Sequence, residues 1–281
     1  MQATLTRNRV ELLGTPVDRV QLDEIDGWIV DMIGSREPHQ VVTANLDFIA
    51  IARRRPSFAE VIRNANLVLC DGKPLQWAAR MQGCPIPSRV TGMDLVLHTA
   101  RLSAEGYGYK IFLLGAAPGV AERAKARLEE FFPGLEVAGC YTPPHREFTA
   151  EDNAEMIRRI HEAGTDALFV ALGAPRQDEW IYEHLDELDV PLCAGIGGVF
   201  NFLAGVIKRA PDWMQHFGFE WAFRLAQEPQ RLWKRYLVND MPILLELLMH
   251  QAVARVTRTP ARPKLLPVVD APSGDRDLDL A

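Results

Sequence analysis

Short apolar runs followed by longer helical segments recur along most of this chain, and that alternation restricts the fold more than any other feature. "HQVVTANLDFIAIARR" passes from a β-branched strand, Val41 to Thr43, into a helix; "NLVLC" precedes "KPLQWAARM". "GYKIFLLGAAPGVAERAKARLEEFF" reads as a strand, a Gly-Ala-Ala-Pro-Gly turn and an Ala- and Glu-rich helix. "LEVAGC" precedes "TAEDNAEMIRRIHEAG", "DALFVALGAP" precedes "RQDEWIYEHL", and "VPLCAGIGGVF" closes the series. Apolar runs of this length between helical patterns of this length predict a doubly wound, mostly parallel α/β sheet.

The pattern changes at Pro211. "DWMQHFGFEWAFRLAQEPQRLWKRYLVNDMPILLELLMHQAVARV" has no strand signature and predicts several helices, broken at Pro229 and near Asn239–Pro242. Ten Lys or Arg stand against five Asp or Glu between Lys208 and Lys264, although the whole chain carries a net charge of -6. The expected organisation is therefore an α/β core over 1–210, a basic and aromatic-rich helical appendage over 211–258, and a disordered Pro- and Asp-rich tail over 259–281.

An acidic balance of this kind argues against nonspecific nucleic-acid binding. The four cysteines, Cys70, Cys84, Cys140 and Cys193, are far apart and read as core thiols in a reducing compartment. The seven histidines are scattered, with no metal-ligand spacing. "MQATLTRNRVELLG" is too polar for a signal peptide, and no apolar run reaches 18 residues. Together these features predict a cytoplasmic protein.

Polar residues collect where the apolar runs stop. Thr43 and Asn45 follow the first strand, and Asp71 and Gly72 follow "LVLC". "AAPG" follows "KIFLLG", Pro175, Arg176 and Gln177 follow "LFVALG", and Phe200 and Asn201 follow "PLCAGIGG". Taken singly each is a turn or a cap; Asp71 reads equally as the cap of the next helix. Five at one edge of one parallel sheet predict a site for a diphosphate and a polar small molecule. Gly115 and Gly119 do not have the spacing of the dinucleotide fingerprint, so a nicotinamide enzyme is rejected; tight turning and close approach to a diphosphate both stay open for them. There is no P-loop motif and no G-x-S-x-G nucleophile elbow.

"LGAPRQDEW" and "GIGGVFNFLAGVIKRAPDWMQHFGFEWAFRLAQEPQRLWKRY" closely resemble the WecG/TagA/CpsF family of bacterial glycosyltransferases. "VVTANLDFIAIARRRPSF", "ANLVLCDGKP", "RVTGMDLV" and "KIFLLGAAPGVAERA" match the family's earlier motifs in order, so the resemblance runs from about residue 10 to 240. It implies a Rossmann-like core with a C-terminal helical appendage. It also implies inverting, metal-independent transfer from a UDP-sugar to a polyprenyl-diphosphate-linked saccharide, with a β-linked product and no cofactor. The donors of the family include UDP-glucose, UDP-N-acetylmannosamine and its uronic acid, and the products feed cell-envelope polymers such as exopolysaccharide. A place at the inner face of the cytoplasmic membrane, contact with its anionic surface and self-association follow from the same resemblance.

Residue by residue, Asp71 matches the family's general base and Thr43 and Asn45 its Thr-x-Asn. Arg89 and Asp94 match the Arg and Asp of "RVTGMD", and Gln177 matches a Gln expected to contact the nucleotide or sugar. Gly115, Gly197, Gly198 and Asn201 fall in the expected nucleotide-sugar site, and Arg224 and Arg231 match the W-x-x-R and P-x-R positions of the appendage, expected to meet the diphosphate. Two departures stand out. Asn201 replaces the family's usual Asp, and Lys73-Pro74 follows Asp-Gly; Lys73 is placed to lower the pKa of Asp71 or to face phosphates. A second reading stays open: a non-catalytic membrane-surface or partner-binding module derived from the same family. The appendage itself is expected to serve as membrane contact and as a lid.

Overall fold

The computed structural model describes residues 8–256. It opens with a hairpin of β1 (Arg9–Leu12) and β2 (Thr15–Asp18), which the sequence pattern does not announce. Leu13 and Gly14 turn it, both with positive φ as a two-residue hairpin loop demands, and Leu-Gly lacks the usual Asn or Asp signal for such a loop. After α1 (Ile25–Ser35) come β3 (Gln40–Ala44), α2 (Leu46–Arg54), α3 (Pro56–Asn64) and β4 (Leu67–Cys70). Then follow α4 (Lys73–Met81), α5 (Gly92–Leu102), β5 (Ile111–Gly115), α6 (Val120–Phe131), β6 (Val137–Tyr141) and α7 (Ala150–Glu162). The α/β portion ends with β7 (Ala167–Ala171), α8 (Arg176–Leu188), β8 (Leu192–Gly195) and the short α9 (Val199–Leu203).

The six central strands form one parallel sheet in the order β4-β3-β8-β7-β5-β6, as the alternating pattern predicts. Side chains alternate between two apolar layers. Val41, Leu69, Leu113, Phe169 and Ala194 face α1, α5, α6 and α9, whereas Val42, Val68, Leu114, Val170 and Cys193 face the helices of the opposite layer. Cys70, Cys84 and Cys193 are buried thiols, and Cys140 is half-buried.

The polypeptide leaves β3 for α2 on one face and leaves its neighbour β8 for α9 on the other. Adjacent strands whose connections diverge in this way open a crevice at their carboxyl ends, the switch point at which open α/β sheets bind ligands.

The C-terminal part is helical throughout: α10 (Asp212–Phe217), α11 (Glu220–Gln227), α12 (Pro229–Trp233), a π-helical segment (Lys234–Asp240) and α13 (Met241–Val256). The chain breaks before Pro229 as expected. It does not break near Asn239–Pro242. There the wider π turn, in which Met241 N–H reaches Tyr236 O, accommodates a proline that has no N–H and crowds an ordinary α turn. α13 docks on the core through Ile243 and Leu247, and the Arg53–Glu246 ion pair fastens it to α2. The expected tail, 259–281, lies outside the described residues.

The hairpin protects the β4 edge of the sheet. Asp18 is buried, accepts the Val68 N–H at 2.7 Å and pairs with Arg9 at 3.0 Å, and Arg9 donates onward to the carbonyls of Ala65 and Arg63. One carboxylate thus satisfies a donor of an edge strand that no further strand covers. Asp18→Ala takes the counter-charge from Arg9 and the acceptor from the Val68 N–H, and is expected to destabilise the fold by about 3 kcal/mol. Urea unfolding checks this as a lowered midpoint at constant slope.

Candidate active site

One cavity of about 1440 Å³ opens over the carboxyl edge of the sheet, and residues just past the end of each of the six strands line it. The hydroxyl of Thr43, at the end of β3, donates to the carbonyl of Gly195 at 3.0 Å and so ties the two strands of the switch point together. Asn45 is the N-cap of α2. Its Oδ1 accepts from Asp47 N–H at 3.0 Å and Phe48 N–H at 3.4 Å, which leaves the amide nitrogen as the donor it can present to the cavity.

Asp71 is not a helix cap. Gly72 occupies the N-cap position of α4, without a side-chain cap bond, and the Asp71 carboxyl faces the cavity. Burial pushes its pKa up to about 6; Arg89 and Arg224 pull it down, and Glu220 and Asp94 push it up. The neighbouring Cys70 thiol is driven up to about 12 by burial and by Asp71, so it stays protonated at neutral pH. Lys73 is not among the groups that act most on Asp71. Lys73 lines the cavity, but the cations that act most on Asp71 are the two arginines, and burial outweighs both.

Arg89 donates to Glu220 at 2.8 Å, and both side chains are largely buried. Asp94 instead completes a capping box with Thr91 at the start of α5. Arg224 leans from α11 over the same floor, its guanidinium beside Gly198 and 5.4 Å from the Phe202 ring. Its Nε is buried without a hydrogen-bond partner among the described residues. Arg231 lines the rim, mostly exposed and paired with Glu228 at 2.6 Å.

The glycines and Gln177 divide by role. Gly115 is not on the cavity wall. It has φ 107° and a Cβ there would lie 2.7 Å from the carbonyl oxygen of Ala171, so close packing against β7 requires glycine at that position. Ala116, Ala117, Pro118 and Gly119 line the cavity in its place. Gln177 is buried, and its Oε1 accepts from Gly173 N–H at 3.2 Å and Gly197 N–H at 3.1 Å. It clamps two strand-end loops together, with its side chain at the cavity wall. Gly197, Gly198 and Asn201 line the same wall beside Arg224.

Sequence reasoning missed Glu220. It stands in "FEWAFRL", where its signal is the one acid on the first turn of α11, and nothing local links it to Arg89, 131 positions away. Also unforeseen are two cation–aromatic stacks that line the far arm of the cavity, Arg176 over Phe148 at 3.8 Å and Arg159 over Tyr141 at 4.4 Å. Among the described residues no cluster of three His, Cys, Asp or Glu is arranged to hold a metal ion.

This constellation meets known proteins in sequence as well. The chain is 30% identical over 226 residues to an N-acetylglucosaminyldiphosphoundecaprenol N-acetyl-beta-D-mannosaminyltransferase of Bacillus spizizenii, covering 77% of this chain and 85% of that protein. It is 26% identical over 240 residues to a protein of the same name from Staphylococcus aureus, covering 84% of this chain and 91% of the other. The model of the glycosyl transferase WecG/TagA/CpsF family matches residues 10–257, and this chain belongs to that family.

Proposed function

We propose that the protein is an inverting, metal-independent glycosyltransferase that moves an N-acetylhexosamine from a UDP-sugar to a polyprenyl-diphosphate-linked saccharide, with Asp71 as its general base. What supports this most is Asp71 itself: a carboxyl at the floor of the switch-point cavity, its pKa pushed up to about 6, between two arginines. A base of that strength is largely ionised at neutral pH and still holds a proton well. The relatives transfer N-acetylmannosamine to an N-acetylglucosaminyl-diphospho-undecaprenol acceptor, by their names, and the same classes of donor and acceptor are assigned here.

In the proposed step the acceptor hydroxyl attacks the anomeric carbon from the face opposite the nucleotide. Its proton passes to Asp71, the bond from the anomeric carbon to the diphosphate oxygen breaks, and UDP leaves with the bonding pair. One displacement inverts an α-linked donor to a β-linked product. Charge builds on the departing diphosphate, and preorganised cations lower the barrier most where charge develops. Arg224, whose buried Nε has no hydrogen-bond partner among the described residues, and Arg231 at the rim are the residues assigned to that task. Asn45 orients the sugar or the attacking hydroxyl through its amide nitrogen.

The appendage is assigned a second role at the membrane. Trp213 is 60% exposed and Phe217 62%, with Trp233, Leu237 and Val238 also outside the core. Exposed aromatic side chains on short helices, with Lys234 over the Trp233 ring, suit the headgroup region of an anionic bilayer. No helix among the described residues is long and apolar enough to cross a membrane.

Three outcomes follow. Asp71→Asn is expected to leave UDP affinity nearly intact and to lower kcat by roughly 10²–10⁴-fold; wild-type kcat/KM rises with pH through about 6 as the base loses its proton, and the Asn variant loses that limb. Both are read by radiolabelled transfer from a panel of UDP-sugars, and an Asn variant as fast as wild type places the base elsewhere. Arg224→Ala is expected to reduce kcat by roughly 10²-fold, with a much smaller change in UDP affinity measured by calorimetry. Replacing Trp213 and Phe217 together with Ser is expected to abolish flotation with anionic vesicles; equal flotation of both proteins removes the membrane role.

A further inference from the structure

Two carboxylates and one guanidinium meet at the floor of the cavity, and only one of the carboxylates belongs to the core. Arg89 enters from the segment before α5, and Asp71 sits at the end of β4. Glu220 comes from the first turn of α11 in the appendage and binds Arg89 at 2.8 Å. Their side chains are 15% and 23% exposed, so water screens the pair only in part. The charged and titratable groups that face Asp71 are Arg89 and Asp94 from the α5 side, Glu220 and Arg224 from α11, Lys73 from α4 and the protonated Cys70 beneath it.

We propose that Glu220 is a positioning residue for the base: it holds the Arg89 guanidinium and keeps that cation from pairing with Asp71, and it does so only while α11 is docked over the cavity. This rests on Asp71 being the general base of the proposed transfer. The physical reason is a competition. Val90 N–H bonds the Cys70 carbonyl at 3.0 Å, which sets Arg89 next to Asp71, and of these two carboxylates Glu220 is the one that receives the Arg89 hydrogen bond at 2.8 Å. Asp71 feels the charge of Arg89, and the negative charge of Glu220 opposes that attraction. With Glu220 withdrawn, that opposition is lost and Asp71 becomes a weaker base.

The arrangement joins two events that a transferase of a reactive donor benefits from joining. Closure of the appendage would bring Arg224 to the diphosphate, and the same helix would bring the carboxylate that keeps Asp71 basic. With the appendage away, water at an open cavity would meet a base weakened by its own arginine. Hydrolysis of the donor would then be disfavoured twice, by the missing cation and by the weaker base.

Glu220→Gln tests this, because the amide keeps the size and the hydrogen-bond acceptor while it removes the charge. Transfer kinetics from pH 5 to about 9, on the full-length protein, are compared for wild type, Glu220→Gln, Glu220→Asp and Asp71→Asn. The expected result is an acid limb of kcat/KM moved to lower pH in Glu220→Gln, with kcat on the plateau reduced roughly tenfold. Glu220→Asp, which restores the charge, is expected to return the limb most of the way to its wild-type position. A Glu220→Gln protein whose kcat falls while its acid limb stays in place makes Glu220 a mere tie for the appendage and overturns the inference, as does unchanged kinetics. Failure of the underlying assignment looks different: Asp71→Asn then keeps both its rate and its acid limb, whatever Glu220 does.

Discussion

Everything at this site depends on a topological fact about two neighbouring strands. β3 and β8 lie side by side, yet the chain leaves them for opposite faces of the sheet. No helix can cover the gap between their carboxyl ends, so backbone and polar side chains must meet there. The Thr43 hydroxyl bound to the Gly195 carbonyl closes the floor of that gap, and Asn45 starts α2 directly above it. Gln177 then ties the loop after β7 to the loop after β8 through one carbonyl oxygen. Three motif residues that look like ligand contacts in the sequence are thus first of all braces. Rigid braces let a carboxyl be held half out of water, where its proton affinity differs from that of a free side chain.

Much of the core was legible because a doubly wound sheet writes itself into sequence. The inner strands β5 and β7 are buried at every position and so appear as unbroken apolar runs, and the crossover helices carry their own apolar stripes. The clustering of Thr43, Asn45, Asp71, Gln177 and Asn201 at one edge was legible for the same reason, since strand ends are marked by where the runs stop. The hairpin of β1 and β2 was not. Its strands are four residues each and its turn is Leu-Gly, so neither alternation nor turn chemistry stands above background. The π segment through Pro242 escaped too, because its register is set by docking of α13 onto α2 and α4 and not by a local signal.

Roles were less legible than places. Asp71 and Asn45 are both plausible caps by composition, and only the structure shows that Asn45 caps and Asp71 does not. Gly115 and Gly197 are alike in sequence, but one is required by the approach of the Ala171 carbonyl while the other turns a cavity loop. The proximity of Lys73 to Asp71 in sequence suggested an electrostatic partnership. In space the governing cations come from 18 and 153 positions away, because charge acts through distance and not through chain order.

The core supplies Arg89 to this place and the appendage supplies Arg224 and Arg231. Guanidinium groups gathered together and withdrawn from water repel one another and forfeit hydration, at a cost of several kcal/mol per ion. Two ion pairs limit that cost. Arg89 is neutralised by Glu220, and Arg231 by Glu228, each partner belonging to the appendage itself. Arg224 keeps a buried nitrogen without a hydrogen-bond partner among the described residues, near the ring of Phe202 and beside the Gly197–Gly198 turn. A buried donor of this kind favours any arrangement in which an acceptor reaches it. The appendage that carries it is fastened to the core through Ile243, Leu247 and the Arg53–Glu246 pair, so the place of Arg224 depends on helix docking as well as on the braced sheet beneath it.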